Sequence, residues 1–139
     1  MDLYYRIWMD CIKRISSIES NKEDWQEKSM ICMTIAMAAN IHLIMVILQK
    51  NIIGYYFYEI NISSLSDHLN YMLTMIILYL LPFAGINYGL IFYRKRYEKF
   101  MEKYPYYNGK LFLTYVLTSI SLPALFLIGG KILYSLNLI

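Results

Sequence analysis

Three long stretches of the chain contain no Asp, Glu, Lys or Arg: residues 29–49, 69–93 and 111–130. Each has the roughly 20 residues that a helix needs to cross a hydrocarbon core about 30 Å thick. None alternates polar and apolar positions with the period of two that a half-buried strand shows. Because a chain in lipid must satisfy its backbone hydrogen bonds internally, the pattern predicts an all-α membrane protein with three transmembrane helices.

The Lys and Arg residues outside these stretches are distributed unequally and predict the orientation. Five lie in residues 1–28 and six in residues 94–110, against one each in residues 50–68 and 131–139. Basic residues accumulate in the cytoplasmic segments of membrane proteins. We therefore expect a cytoplasmic N-terminus and a basic cytoplasmic loop at 94–110, with the loop at 50–68 and the C-terminal tail at 131–139 outside.

The segment before the first span, residues 1–28, has the spacing of an amphipathic helix in its first part. Tyr4, Trp8 and Ile15 recur at helical intervals, and most charged residues fall elsewhere. Aromatic residues on one side and Lys and Arg on the other are typical of an interfacial helix at the membrane surface. The pattern fits equally well a helix that packs on the chain's own cytoplasmic loop. Trp8 and Trp25 are expected at the level of the lipid headgroups.

The loop at 94–110 is predicted to extend the second span as a helix. Pro105 ends that helix because it cannot continue one, and Asn108 and Gly109 supply the turn into the third span.

Arg94, Lys95 and Arg96 stand where the second apolar stretch ends. We expect them to contact anionic lipid on the cytoplasmic side, although a role in setting the topology alone is the simpler interpretation. Acidic residues interrupt the basic loop and the bilayer covers one side of it, so no nucleic-acid partner is expected.

The predicted external loop contains four consecutive aromatic residues, Tyr55, Tyr56, Phe57 and Tyr58. Such a cluster is typical of the aromatic belt at the membrane surface. It could instead form an external recognition surface, since exposed tyrosines make good contact sites.

The polar residues expected to matter within the spans are Asn40, His42, Asn87, Ser119 and Ser121. With a rise of about 1.5 Å per residue, Asn40 and the two serines fall at the same depth in their helices. We predict an interhelical hydrogen bond among them, worth about 1 kcal/mol. His42 has no carboxylate partner in its span, so packing explains it more simply than proton transfer.

Small residues one helical turn apart occur in two spans, at Thr34 and Ala38 and at Gly85 and Gly89. This spacing favours close helix pairing, either within the chain or between copies.

The composition agrees with a membrane protein, since 58% of the residues are hydrophobic and only 17% are charged. A soluble domain has about 25% charged residues, so the apolar surplus is expected to face lipid. The richness in Ile, Tyr, Asn and Lys is typical of an AT-rich bacterial genome, which points to a bacterial inner (cytoplasmic) membrane. Cys11 and Cys32 are expected to be reduced thiols without a structural role.

The sequence contains no HExxH, GxSxG or P-loop motif. Cys32 and His42 would lie about 15 Å apart on one helix, too far to share a metal ion. The external cluster of Ser63, Ser64, Ser66, Asp67 and His68 has the residue types of a catalytic triad, but helix capping and the polarity of the interface explain it more simply. We therefore expect no enzymatic activity, no cofactor and no metal site.

The function predicted from these features is that of a small interaction protein, a subunit, assembly factor or modulator of a membrane complex. Its partners would be other membrane protein chains or further copies of itself. An immunity protein against a membrane-active toxin and a homo-oligomeric pore are the two alternatives. The absence of charged residues from the spans disfavours an ion-coupled transporter.

Overall fold

The computed structural model describes residues 2–49, 52 and 60–135, and every regular element in this part of the chain is helical. Three helical stretches are long and apolar enough to cross a membrane: Trp25–Leu48, Asp67–Lys103 and Lys110–Ile132. The second of them contains a break at Arg94 and Lys95. The predicted all-helical architecture with three membrane-length helices is therefore confirmed.

The first and third spans are continuous α-helices, α2 at Trp25–Leu48 and α6 at Lys110–Ser135. Before them, α1 covers Asp2–Ser16, and a short 3₁₀ turn at Glu19–Asn21 follows it. α2 packs against both other spans. Apolar side chains on the outer side of α6 are exposed, Leu117 to 65%, which suits a helix surrounded by lipid.

The second span is a succession of helical types. It consists of α3 at Asp67–Thr74, a π-helical segment at Met75–Leu80, α4 at Leu81–Asn87 and a second π-helical segment at Tyr88–Phe92. Pro82 has no backbone N–H, and in a regular α-helix its ring would collide with the carbonyl four residues earlier. The wider π-helical turns directly before Pro82 take up this mismatch.

The second span does not continue unbroken into α5 (Arg96–Lys103), which differs from the prediction. Arg94 and Lys95 have φ angles of 53° and 54° and separate the two helices. This left-handed conformation costs roughly 1–2 kcal/mol for each residue that has a Cβ. The turn lets α5 partly bury Tyr97 and Phe100 against the core. The apolar surface that these two side chains remove from water offsets part of this strain.

The hydrophobic core lies where α1 docks, at what we call the α1 end of the bundle. Trp8, Met9, Cys11 and Ile12 have no exposed surface, so the middle of α1 is covered on all sides. The residues of other elements that complete this core are Met33, Ile91, Phe92, Tyr104 and Phe112. α1 thus packs against α2, α5 and α6 of its own chain, which is one of the two arrangements that the sequence left open.

Candidate functional site

The centre of the α1 end is Asp10, a carboxylate with no exposed surface. Its Oδ1 accepts hydrogen bonds from the backbone N–H groups of Tyr107 (2.9 Å) and Gly109 (3.0 Å). Its Oδ2 accepts from those of Leu111 (2.9 Å) and Phe112 (3.2 Å). These amides belong to the turn before α6 and to its first turn, where a helix has no internal partners for its N–H groups and its dipole favours an anion. Asp10 therefore caps α6 from a different helix.

The turn that Asp10 holds depends on the residue types at positions 108 and 109. Asn108 and Gly109 both have positive φ angles, 57° and 77°. A Cβ added to Gly109 would lie 2.9 Å from Cγ of Arg14 on α1. Glycine is therefore needed here both for its conformation and for the close approach of α1.

Lys13 makes the complementary contact at the end of α5. Its Nζ donates to the backbone carbonyls of Met101 (2.9 Å) and Tyr104 (2.8 Å). These carbonyls lie at the C-terminus of α5, where the dipole favours a cation. An acid and a base one turn apart on α1 thus hold the start of α6 and the end of α5 together.

A buried polar network joins α1 to the first two spans through Asn87, which has no exposed surface. The Tyr4 hydroxyl donates to Asn87 Oδ1 (2.9 Å), and Asn87 Nδ2 donates to Thr34 Oγ1 (3.2 Å). Asn87 was predicted as an intramembrane polar residue and Thr34 as a small packing residue. The structure brings the two together and adds Tyr4.

Burial raises the pKa of Tyr4 from 10.0 to about 12. The unfolded chain therefore loses this proton at a lower pH than the folded chain does. Stability from the protonated hydroxyl is complete below pH 10.0 and is lost as the pH rises toward 12. Burial also raises the pKa of Cys11 above its ordinary 9.0, which acts in the same direction.

We expect the free energy of unfolding to fall more steeply in the wild type than in Tyr4→Phe between about pH 10 and about pH 12. Both proteins retain Cys11, so the difference between their pH profiles isolates Tyr4. Parallel profiles would show that the hydroxyl is not held in its buried, protonated form.

A second polar contact joins the first and third spans at the predicted depth. Asn40 Nδ2 donates to Ser119 Oγ (2.8 Å) and lies 3.3 Å from the Tyr115 hydroxyl oxygen. Ser119 is 1% exposed. Ser121 takes no part, because its hydroxyl is exposed and bonds to the carbonyl of Thr118 in its own helix (3.4 Å).

His42 packs against the second span with its ring edge-on to Tyr79, at 5.2 Å between ring centroids. Its buried Nδ1 has no hydrogen-bond partner among the described residues. No group of three His, Cys, Asp or Glu side chains that could hold a metal ion occurs in this part of the chain.

The small residues of the two spans are placed differently. Thr34 and Ala38 are buried within the chain, each 6% exposed. Gly85 and Gly89 lie on an open face of the second span, where an added Cβ would meet no atom within 4 Å. Only the pair in the first span packs inside the bundle.

The residues expected at the membrane surface differ in how far they are buried. Trp8 is inside the core, with its ring edge-on to Phe92 at 5.7 Å, because α1 docks on the chain. Trp25 is partly buried and lies edge-on to Tyr97 at 5.2 Å. Arg94, Lys95 and Arg96 are exposed. The aromatic cluster Tyr55, Tyr56, Phe57 and Tyr58 lies outside the described residues.

Asp10, Lys13 and Tyr4 were not among the predicted site residues. Their partners lie 83 to 102 positions away along the chain, and no spacing within the first segment identifies them. The available signal was the turn at Asn108 and Gly109, which places uncapped amides at the start of the third span. Comparison with protein-family models, with curated proteins and with solved structures found no match.

Proposed function

We propose that the chain is a non-enzymatic integral protein of the bacterial inner membrane that acts through contacts with other membrane protein chains, as a subunit, assembly factor or modulator of a complex. The excess of basic residues in its first segment and in the 94–110 loop supports a cytoplasmic N-terminus and an external C-terminus. Alkaline phosphatase fused to the C-terminus tests this orientation, since that enzyme is active only outside the cytoplasm.

The observation that carries the proposal is the open face of the second span at Gly85 and Gly89. Apart from the chain neighbours and the backbone of the same helix, no described atom comes within 4 Å of a Cβ built at either position. Glycines one turn apart allow the backbone of a facing helix to approach closely, which is how many membrane helices associate. Ile86 beside them is 49% exposed, so this face presents an accessible apolar side chain next to the glycines.

The polar residues inside the bundle support a structural role for the interior. Asn87 bonds to Thr34 and Asn40 bonds to Ser119, each across two helices. The three apolar stretches contain no charged residue, whereas ion-coupled transporters depend on ionisable groups within the membrane. The interior thus serves to hold the spans together, and the outer face remains for partners.

We expect Gly85→Leu combined with Gly89→Leu to abolish association with the partner chain. A photoreactive residue in place of Ile86 should crosslink the wild type to a membrane protein, either a second copy or another chain. The leucines keep the helix apolar but prevent close approach, so the crosslink yield should fall by at least about tenfold.

The matched control is Gly129→Leu combined with Gly130→Leu. These glycines of the third span are equally open to a Cβ, and their substitution should leave the crosslink unchanged. Recovery of the wild type from mild detergent as a monomer, with no crosslink at position 86, would contradict the proposal.

A further inference from the structure

Three consecutive basic residues, Arg94, Lys95 and Arg96, follow directly after the apolar part of the second span. All three are exposed. The only ion pairs among the described residues are Lys22–Glu19 and Lys28–Asp24, so none of these three cations has an acidic partner there. Three uncompensated positive charges therefore lie at the end of a membrane-length helix.

Two of these cations converge on one aromatic ring. The guanidinium carbons of Arg94 and Arg96 lie 5.2 Å and 5.7 Å from the centroid of Tyr93. Tyr93 is 43% exposed, and Arg96 also donates to the carbonyl of Gly89 (3.2 Å). Like charges gathered on one ring repel each other, and a bound anion would remove that repulsion.

The backbone produces this convergence. In a continuous α-helix, residues 94 and 96 would point about 200° apart around the axis and could not share a neighbour. The left-handed conformations of Arg94 and Lys95 replace the helix with a turn that brings both guanidinium groups to Tyr93. The strained turn thus has a consequence for charge as well as for packing.

We propose that Tyr93, Arg94, Lys95 and Arg96 form a binding site for the phosphate of an anionic phospholipid headgroup. Guanidinium groups match phosphate oxygens with paired, planar hydrogen bonds, and lysine adds a mobile point charge. A tyrosine at the end of an apolar span lies at the depth where headgroups begin. The inference rests on the proposed insertion into a membrane but not on the proposed protein partner.

The test counts lipids bound to the purified full-length chain by native mass spectrometry, with phosphatidylglycerol and phosphatidylcholine of identical acyl chains. The wild type should retain phosphatidylglycerol preferentially. Arg94→Lys combined with Arg96→Lys preserves the charge but removes the planar donors, and should weaken retention by about tenfold. Tyr93→Leu keeps every charge and should weaken it in the same direction.

The matched control is Lys99→Gln combined with Lys103→Gln, which removes two exposed cations of α5 and should leave retention unchanged. If the lysine variant retained as much phosphatidylglycerol as the wild type, positive charge alone would explain the binding, and the proposal would be overturned. Displacement of phosphatidylglycerol by an equal concentration of glycerol 3-phosphate would assign the site to a soluble phosphate instead. Because this assay needs no partner chain, its failure is distinct from failure of the crosslinking test at position 86.

Discussion

Replacement of Asp10 by asparagine is expected to lower the free energy of unfolding by roughly 3–5 kcal/mol. The carboxylate accepts two backbone N–H bonds on each oxygen, from residues 107, 109, 111 and 112. Asparagine keeps one oxygen but turns an NH₂ group toward the two amides that the other oxygen served. Donors then face donors at a position with no exposed surface, and the attraction between a negative charge and the start of α6 is lost.

Equilibrium unfolding in mixed detergent micelles measures the stability of the whole chain. Alkylation of Cys11 measures how often α1 leaves its docked position. The Cys11 thiol is fully buried and its pKa is raised by that burial, so alkylation requires α1 to leave its site. In a Cys32→Ser background, Asp10→Asn should accelerate alkylation of Cys11 by at least about 100-fold, which is the factor that corresponds to roughly 3 kcal/mol.

Asp24→Asn is the matched control for this experiment. The Asp24 side chain is 64% exposed, and its only ion pair among the described residues is a 3.9 Å contact with Lys28, so its loss should cost less than about 0.5 kcal/mol. If Asp10→Asn changed stability and Cys11 alkylation no more than Asp24→Asn does, the capping role of Asp10 would be refuted.

The spans were predictable because the length of an apolar stretch is a local property of the chain. The residues at which the helices begin and end were harder to predict. The sequence predicts that the helix of the first span begins near Asn21 and runs through Trp25 without a break, and α2 begins at Trp25. α6 extends to Ser135, past the end of the charge-free stretch at residue 130. A charge-free window marks the part of a helix that is compatible with lipid, and a helix continues past it wherever its flanks also favour helix.

Depth along a helix could be predicted, but rotation about its axis could not. Depth was enough to pair Asn40 with Ser119, and it could not separate Ser119 from Ser121, which lies two residues further on and points elsewhere. The contact between Asn87 and Thr34 needed the mutual rotation of two helices. That rotation is set by packing across the whole interface.

The docking of α1 was the least predictable feature. Helical periodicity assigns one apolar side to α1, yet the structure covers Met9 and Asp10 as completely as Trp8 and Cys11. A charged residue tolerates burial only when hydrogen bonds replace its water, and the bonds of Asp10 come from residues about 100 positions away. Nothing local distinguishes Asp10 from the exposed Asp2 or Asp24.

The network of Tyr4, Asn87 and Thr34 is expected to behave as a unit. Asn87→Ala removes a buried residue that bonds to both hydroxyl groups, and should cost about 2–4 kcal/mol. Tyr4→Phe should cost about 1–2 kcal/mol, because it leaves the Asn87 oxygen without its donor. In the absence of Asn87, the Tyr4 hydroxyl has already lost its hydrogen-bond acceptor, so removing the hydroxyl costs less. The loss of unfolding free energy in the double variant should therefore be at least about 1 kcal/mol smaller than the sum of the two single losses.

A second double-mutant cycle, Tyr4→Phe with Asn70→Ala, is the control. Asn70 is a buried asparagine of the same span (3% exposed), but it bonds to the backbone of Ile62 near the other end of that span. The two changes share no partner and should add to within about 0.5 kcal/mol. Additivity in the Asn87 cycle as well would contradict the network. Coupling confined to Asn87 would establish that the docking of α1 depends on the packing of the first two spans, and hence that α1 belongs to the same cooperative unit as the membrane helices.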